Sequence, residues 1–354
     1  MAVRIIPRVV RSSNYPLNVT YRAYGLNLTS SVVVPALHPL PQPTPACDVQ
    51  IEIGTRGQWV ESALAQPAHV VPTSRSREPQ DCRFTLKIHG NGLFSQLVYA
   101  DGSRFLIDAN ATRIWGEAGP ALSDDDLFVY LLGPVLGFVL RKRACAALHA
   151  SGVVLDGFAV ALCGSASFGK STTAAALALR GVPVLTEDVT PIKELGHTFI
   201  VEPGYPRICL WPDSVQELLG SPDALPLLTP NWDKRYLPLD GVRATFEPQS
   251  KPLGVIYLLS ARKDDSDAPR IEDVAPRQAL LGLIQNTYMN CLLNRDQRAA
   301  EFDVLSKIVD QIPVRRIVPH ADPARLPALC DLIADDARTL KPPDSTRTAV
   351  PRQA

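Results

Sequence analysis

The sequence predicts an α/β protein with a β-rich N-terminal region. Three observations carry this. Residues 1–118 hold short runs of β-branched and aromatic residues between turn signals. From Ala147 onward the order becomes strand, Gly-rich loop, Ala-rich helix, strand. Between them lies one apolar stretch with helix signals at both ends. A chain of 354 residues has room for two domains. The expected division is a β-rich domain over 1–118, a linking helix over 119–146, an α/β domain over 147–336 and a disordered tail over 337–354.

The first segment, MAVRIIPRVVRSSNYP, breaks its apolar pairs with Arg and Pro, so it lacks the continuous core of a secretory signal. Strands are expected at Leu17–Tyr21, Val49–Ile53, Phe84–Ile88, Leu93–Tyr99 and Phe105–Asp108. Asn91-Gly92 and Asp101-Gly102 are two-residue hairpin signals. Prolines at 35, 39, 41, 43 and 45 make that segment an extended connector. No reactive cluster appears in this region, which reads as a structural domain or clamp. Ser123 caps the next helix, and Asp124, Asp125 and Asp126 complement its positive end. Leu127–Leu140 is its buried body, too short for a bilayer, which needs roughly 20 residues. Arg141-Lys142-Arg143 closes it at the negative end rather than forming a nucleic-acid patch.

Gly152–Leu155 and Phe158–Leu162 are strands joined by a turn at Asp156-Gly157. A helix over Lys170–Arg180 ends at Gly181. Val182–Leu185, Gly254–Leu259 and Val314–Val318 read as strands, Arg277–Ile284 and Asp303–Val309 as helices. Lys plus Arg and Asp plus Glu are 36 each. That balance argues against broad binding to nucleic acid or an anionic membrane. The seven cysteines show no CxxC pair. They read as reduced thiols of a cytoplasmic protein, not as a zinc site.

The chemistry centres on Gly164-Ser165-Ala166-Ser167-Phe168-Gly169-Lys170-Ser171, which fits G-x-x-x-x-G-K-[ST] in full and is followed by Thr172. The glycines let successive N–H groups turn inward onto phosphate oxygens. The helix that starts at Lys170 adds its positive end. Lys170 reaches the β and γ phosphates, and the Ser171 hydroxyl ligates Mg²⁺. Chance would give the pattern in about 1–2% of chains this long, and here it also has the required strand before it and helix after it. Glu187-Asp188 follows the next strand. One acid can bind Mg²⁺ while the other takes a proton from an attacking hydroxyl. His149 precedes the hairpin, and spacing alone leaves its role open.

Leu148-His149-Ala150-Ser151-Gly152, Asp156-Gly157, Gly164–Thr172 and Glu187-Asp188 together resemble the HPr kinase/phosphorylase family. The P-loop of that family is related to the one in phosphoenolpyruvate carboxykinase. The resemblance covers residues 147–190 strongly and about 120–335 loosely. It implies an HPr-kinase-like C-terminal domain, a serine kinase that uses ATP and Mg²⁺, and a homo-oligomer. His149 would assist the acid that activates the acceptor hydroxyl, with Glu187 and Asp188 as candidates for that acid. Ser171 and Asp188 would hold the metal. Glu187 stands where the family usually has Asp, so which acid is the base stays open.

Pro203-Gly204-Tyr205-Pro206-Arg207, Leu210-Trp211-Pro212 and Asp233-Lys234-Arg235 resemble a branch of HPr-kinase-like proteins found in peptide tailoring. Lasso peptide biosynthesis is one of its settings. The implied acceptor is a serine-bearing protein or peptide, with no nucleic-acid or membrane partner. Arg207, Lys234 and Arg235 would contact phosphate or carboxylate; ordinary surface charge is the alternative. Residues 1–118 do not match the family's regulatory domain, so HPr itself is not the expected acceptor. The rival readings are an ATP-binding switch without transfer and a kinase of free serine.

Overall fold

A computed structural model describes residues 18–42, 44–71 and 84–340. The expectations for the first 17 residues, Pro43, Cys82 and the tail beyond 340 lie outside the described residues.

Eight strands between Val19 and Glu117 form one sheet. Most neighbours are antiparallel hairpins. Val49–Ile53 instead runs parallel to both Leu26–Ser30 and Arg113–Glu117. Leu106 and Trp115 point to one face and are covered by the short helix Gln58–Leu64 through Val60 and Ala63. Asp101-Gly102 lies at a turn, but not a two-residue one: Tyr99 N–H bonds to Ser103 C=O at 2.9 Å, so Ala100, Asp101 and Gly102 close a three-residue loop with Gly102 at φ 92. Asn91-Gly92 does not make a two-residue turn. His89 pairs with Phe94, and Gly90, Asn91 and Gly92 all take positive φ. Three residues in succession that tolerate the left-handed region let the connection lengthen.

Ser123 caps its helix in a full capping box with Asp126. The helix is not uniform. It runs α over Asp124–Tyr130, π over Leu131–Val135 and α again over Leu136–Lys142. Pro134 has no N–H to continue the α ladder, and the wider turn absorbs it. Leu127, Leu131, Val135, Phe138 and Val139 bury in one core with Tyr21, Leu28, Ile51 and Phe105 of the N-terminal sheet. The basic triplet after it is tied into the fold. Arg141 pairs with Glu301 at 2.5 Å in the interior, Lys142 donates to Ser95 Oγ, and Arg143 pairs with Asp48.

Ala146–Leu155 and Phe158–Cys163 form the expected hairpin, with Asp156 (φ 48) and Gly157 (φ 85) as its two-residue turn. Phe158–Cys163 then runs parallel to Lys251–Leu259, which runs parallel to Val314–Val318. Period-two alternation divides its side chains between two cores. Phe158, Val160 and Leu162 pack with helices Lys170–Leu179 and Leu326–Thr339. Ala159, Ala161 and Cys163 pack with helices Pro276–Gln285 and Arg295–Gln311. Helices therefore cover both faces of the sheet, and the chain is a mixed α/β protein.

Several elements differ from expectation. Val189–Leu195 is a strand although it contains Pro191, which pairs with Ala147. Arg207–Leu210, Trp232–Pro238 and Leu227–Thr229 form a separate three-stranded sheet. Helix Leu326–Thr339 runs past the expected start of the tail, because Ala337 is buried in the core. Five cysteines are free thiols (Cys47, Cys145, Cys163, Cys209, Cys330), but Cys291 is disulfide-bonded, which corrects the reading of seven reduced thiols. Among the described residues, no helix is long and apolar enough to cross a membrane.

Candidate active site

The Gly-rich loop leaves the C-terminal end of Phe158–Cys163 and opens helix Lys170–Leu179. Gly164 (φ 154), Ser167 (φ 68) and Gly169 (φ 95) take positive φ, and the reversals of hand curl the loop so that its amides can converge. A Cβ on Gly164 would stand 2.9 Å from Leu259 O, so the loop lies tight against the neighbouring strand. Phe168 N–H bonds to Ser165 C=O at 3.2 Å and closes the turn around Ala166 and Ser167. Lys170 is buried and folds back over the loop, donating to Gly164 O at 2.6 Å and Ser165 O at 3.2 Å. The Thr172 hydroxyl shares a hydrogen bond of 2.8 Å with Ser214, tying this helix to helix Pro212–Leu219.

Glu187 and Asp188 follow strand Val184–Thr186. Val189 N–H bonds to Glu187 C=O at 2.7 Å across Asp188, whose φ is 65. This is the rare, strained form of three-residue turn, at a cost of about 1–3 kcal/mol. It sends adjacent carboxylates in different directions. Glu187 is buried and accepts from Ser171 Oγ at 2.7 Å. Asp188 keeps 39% of its side chain exposed; it meets His149 Nε2 at 3.3 Å and accepts from Tyr288 OH at 3.2 Å. The serine hydroxyl expected to share a metal with Asp188 is thus bonded to Glu187.

His149 lies in strand Ala146–Leu155, directly ahead of Ala150–Leu155, the part that pairs with Phe158–Cys163 in the hairpin. Its backbone is in register with Val189, so strand pairing itself brings the imidazole beside Asp188. Burial pushes Glu187 up, and the nearby Asp188 charge adds to this, to about 7. Burial also opposes the charge on Asp188. The hydrogen bond and charge of His149, with Lys234 and Lys170, outweigh it and hold Asp188 well below the usual carboxylate range. Two neighbouring acids are therefore separated in proton affinity, the pattern that divides roles within a pair of carboxyls.

Tyr288 is the residue that sequence reasoning missed. Beyond its bond to Asp188, its ring stands edge-on to His149 at 6.0 Å. Gly137 makes room for it, since a Cβ there would meet the Tyr288 ring at 2.2 Å. No local pattern announces a contact between residues 100 positions apart. Tyr24 and Tyr205 pack edge-to-face beside the acids, and Tyr24 OH donates to Leu132 C=O at 2.9 Å. Of the three candidate cations, Arg207 and Lys234 share one face of the three-stranded sheet. Arg235 takes the opposite face, where it pairs with Asp223 at 2.7 Å. The run Asp233-Lys234-Arg235 is split by the period of a strand.

The residues present fit a nucleotide's phosphates and a divalent cation. Positive φ at Gly164, Ser167 and Gly169 curls the loop ahead of the helix start, and Lys170 reaches back across it. The Ser171 hydroxyl and the Glu187 carboxylate offer two hard oxygens side by side. That small donor set suits Mg²⁺, which takes one or two protein ligands and fills its shell with waters and phosphate oxygens.

The fold and this loop define the class: a mixed α/β chain with a Gly-Lys-Ser loop at the end of a buried strand. No family model matches the chain, and no curated protein matches it. Among solved structures it is similar to the Hpr(Ser) kinase/phosphatase from Coxiella burnetii over 55% of this chain and 91% of that one, at 17% identity and a TM-score of 0.29.

Proposed function

We propose that this chain is an ATP-dependent kinase that phosphorylates a serine hydroxyl of a protein or peptide. The observation that carries the reading is the split acid pair beside the Gly-rich loop, with Glu187 on Ser171 and Asp188 on His149. An ATP switch needs the first half of that arrangement and has no use for the second. A precursor peptide of the lasso type is the acceptor class that the sequence resemblance implies.

In this reading the loop amides and Lys170 hold the phosphate oxygens, and Ser171 with Glu187 holds the cation. Bound MgATP supplies the phosphoryl group and neutralising charge. Asp188 would orient the serine hydroxyl and accept its proton as that oxygen bonds to the γ-phosphorus and the bond to the bridging oxygen breaks, so that ADP leaves. His149 Nε2 and Tyr288 OH fix the carboxylate in place from two directions. The low proton affinity of Asp188 keeps it ionised before attack.

The test follows γ-labelled ATP and Mg²⁺ with serine-bearing peptides and free serine. Label should reach a peptide, and Lys170→Ala should cut transfer by more than about 10²-fold while the protein stays folded. Undiminished transfer in a folded Lys170→Ala protein would sink the assignment. Label reaching only free serine would move the acceptor to a metabolite.

A further inference from the structure

Two cations stand on one face of the three-stranded sheet, and among the described residues neither has an acid within ion-pair distance. Cys209 is in register with Tyr236, and Arg207 with Pro238. Opposed residues share a face, as do alternate residues along a strand. Arg207, Cys209, Lys234 and Tyr236 therefore lie together. The Arg207 guanidinium sits 4.0 Å from the Tyr236 ring centre, and the Lys234 ammonium 4.9 Å from that of Trp211. Aromatic faces hold cations in place without cancelling their charge. Other cations nearby are neutralised: Arg235 by Asp223, and Arg262 by both oxygens of Glu217 at 2.9 and 3.1 Å. Among the described residues, neither Arg207 nor Lys234 forms an ion pair.

This face adjoins the acid pair. Lys234 bears on both Glu187 and Asp188, and the half-buried Cys209 thiol feels both acids as well as Lys234 and Arg207. The Trp211 side of the face is open, with that residue 54% exposed. An acidic ligand approaching Asp188 would otherwise meet like charge; the charges of Arg207 and Lys234 on this face offset it.

Resting on the kinase reading above, we infer that this face seats the acceptor, and that the acceptor is a peptide with carboxylates beside its serine. Arg207 can take a carboxylate in a two-point fork, and Lys234 adds a point charge. Trp211 supplies an aromatic wall for the peptide.

Calorimetry tests this on the full chain holding Mg²⁺ and a non-hydrolysable ATP analogue, so that the phosphate site is filled. The probes are the peptide Gly-Asp-Ser-Glu-Gly and its neutral counterpart Gly-Asn-Ser-Gln-Gly. The acidic peptide should bind at least about tenfold tighter. The ratio should collapse in Arg207→Gln and in Lys234→Gln, and persist in Lys234→Arg and in Arg235→Gln. Equal affinity for the two peptides, or no binding of either by a protein that holds the analogue, overturns the inference and leaves the kinase reading standing. A ratio that survives both Gln variants also overturns it. Weakening of the analogue by the same factor as the peptide would assign the two cations to the nucleotide instead. A wild-type protein that does not hold the analogue overturns the kinase reading and this inference with it.

Discussion

The N-terminal sheet and the sheet that carries the Gly-rich loop have eight strands each, and they use their polar groups in opposite ways. In the first, Arg56 and Arg104 converge on Glu117, and Arg113 meets Glu52, all partly exposed. Such surface pairs contribute about 0–1 kcal/mol each. Most strands there end in hairpins that close on themselves. In the second sheet, Lys170 and Glu187 are buried, and they gather where strands open into a loop and a strained turn. The open C-terminal ends of strands host the candidate chemistry, as is general for α/β sheets. Width and strand count say nothing about it.

Substitutions can break that contrast, and the largest effect belongs to Asp188→Asn. Asn tolerates positive φ, so the turn should survive. Phosphate transfer should fall by about 10²–10⁴-fold, with a melting temperature near wild type. A large loss of stability instead would mean the acid holds the fold together. Phe105→Ala probes the other sheet. The ring is fully buried, and its loss should cost about 3–5 kcal/mol. Denaturant titration should show that loss while transfer per folded molecule is unchanged. A changed transfer rate would make the N-terminal sheet part of the site.

The seam between the two regions is tested at Arg141. Removing it leaves Glu301 buried and unpaired, at about 3–5 kcal/mol. Burial already raises Glu301, and Arg141 pulls it back. Arg141→Met combined with Glu301→Leu should recover most of the loss; failure to recover would point to the bond from Arg141 to Cys145 O instead. The smallest effect concerns acid. Asp126 accepts from Ser123 and from Asn231. Burial works against its charge, but these hydrogen bonds prevail and lower its pKa. A depressed folded pKa adds stability above the unfolded value, near 4, and that stability is lost as pH falls through the folded value. The Asp126→Asn melting profile should therefore flatten below pH 4 relative to wild type. Parallel profiles would remove Asp126 from the acid response.

Much of this was legible because it is local. The Gly-Lys-Ser loop, the turn at Asp156-Gly157 and the Ser123 cap are each written within a few residues, and each formed where expected. What escaped is set by distance or by context. Pro191 argues against a strand until Ala147 is seen beside it. The π turn at Pro134 looks like an ordinary apolar helix in sequence. His149 has an identifiable partner only once strand register is known. Tyr288 and Gly137 meet across the fold, and neither is marked by its neighbours.

That π turn gives the helix over Asp124–Lys142 a rotational phase. Upstream of it, Asp126 bonds to Asn231. Within it, Leu132 C=O accepts from Tyr24, and Gly133 lies against Asp188. Downstream, Gly137 seats Tyr288 and Arg141 meets Glu301. Each residue advances an α-helix by about 100°. Winding Leu131–Val135 as a regular α ladder with every residue kept would swing every later side chain by about that angle. Gly137 and Arg141 would both leave their partners, and the Tyr288 bond to Asp188 would lose its support. The register of one distant helix thus works as a clock setting for the orientation of the candidate base.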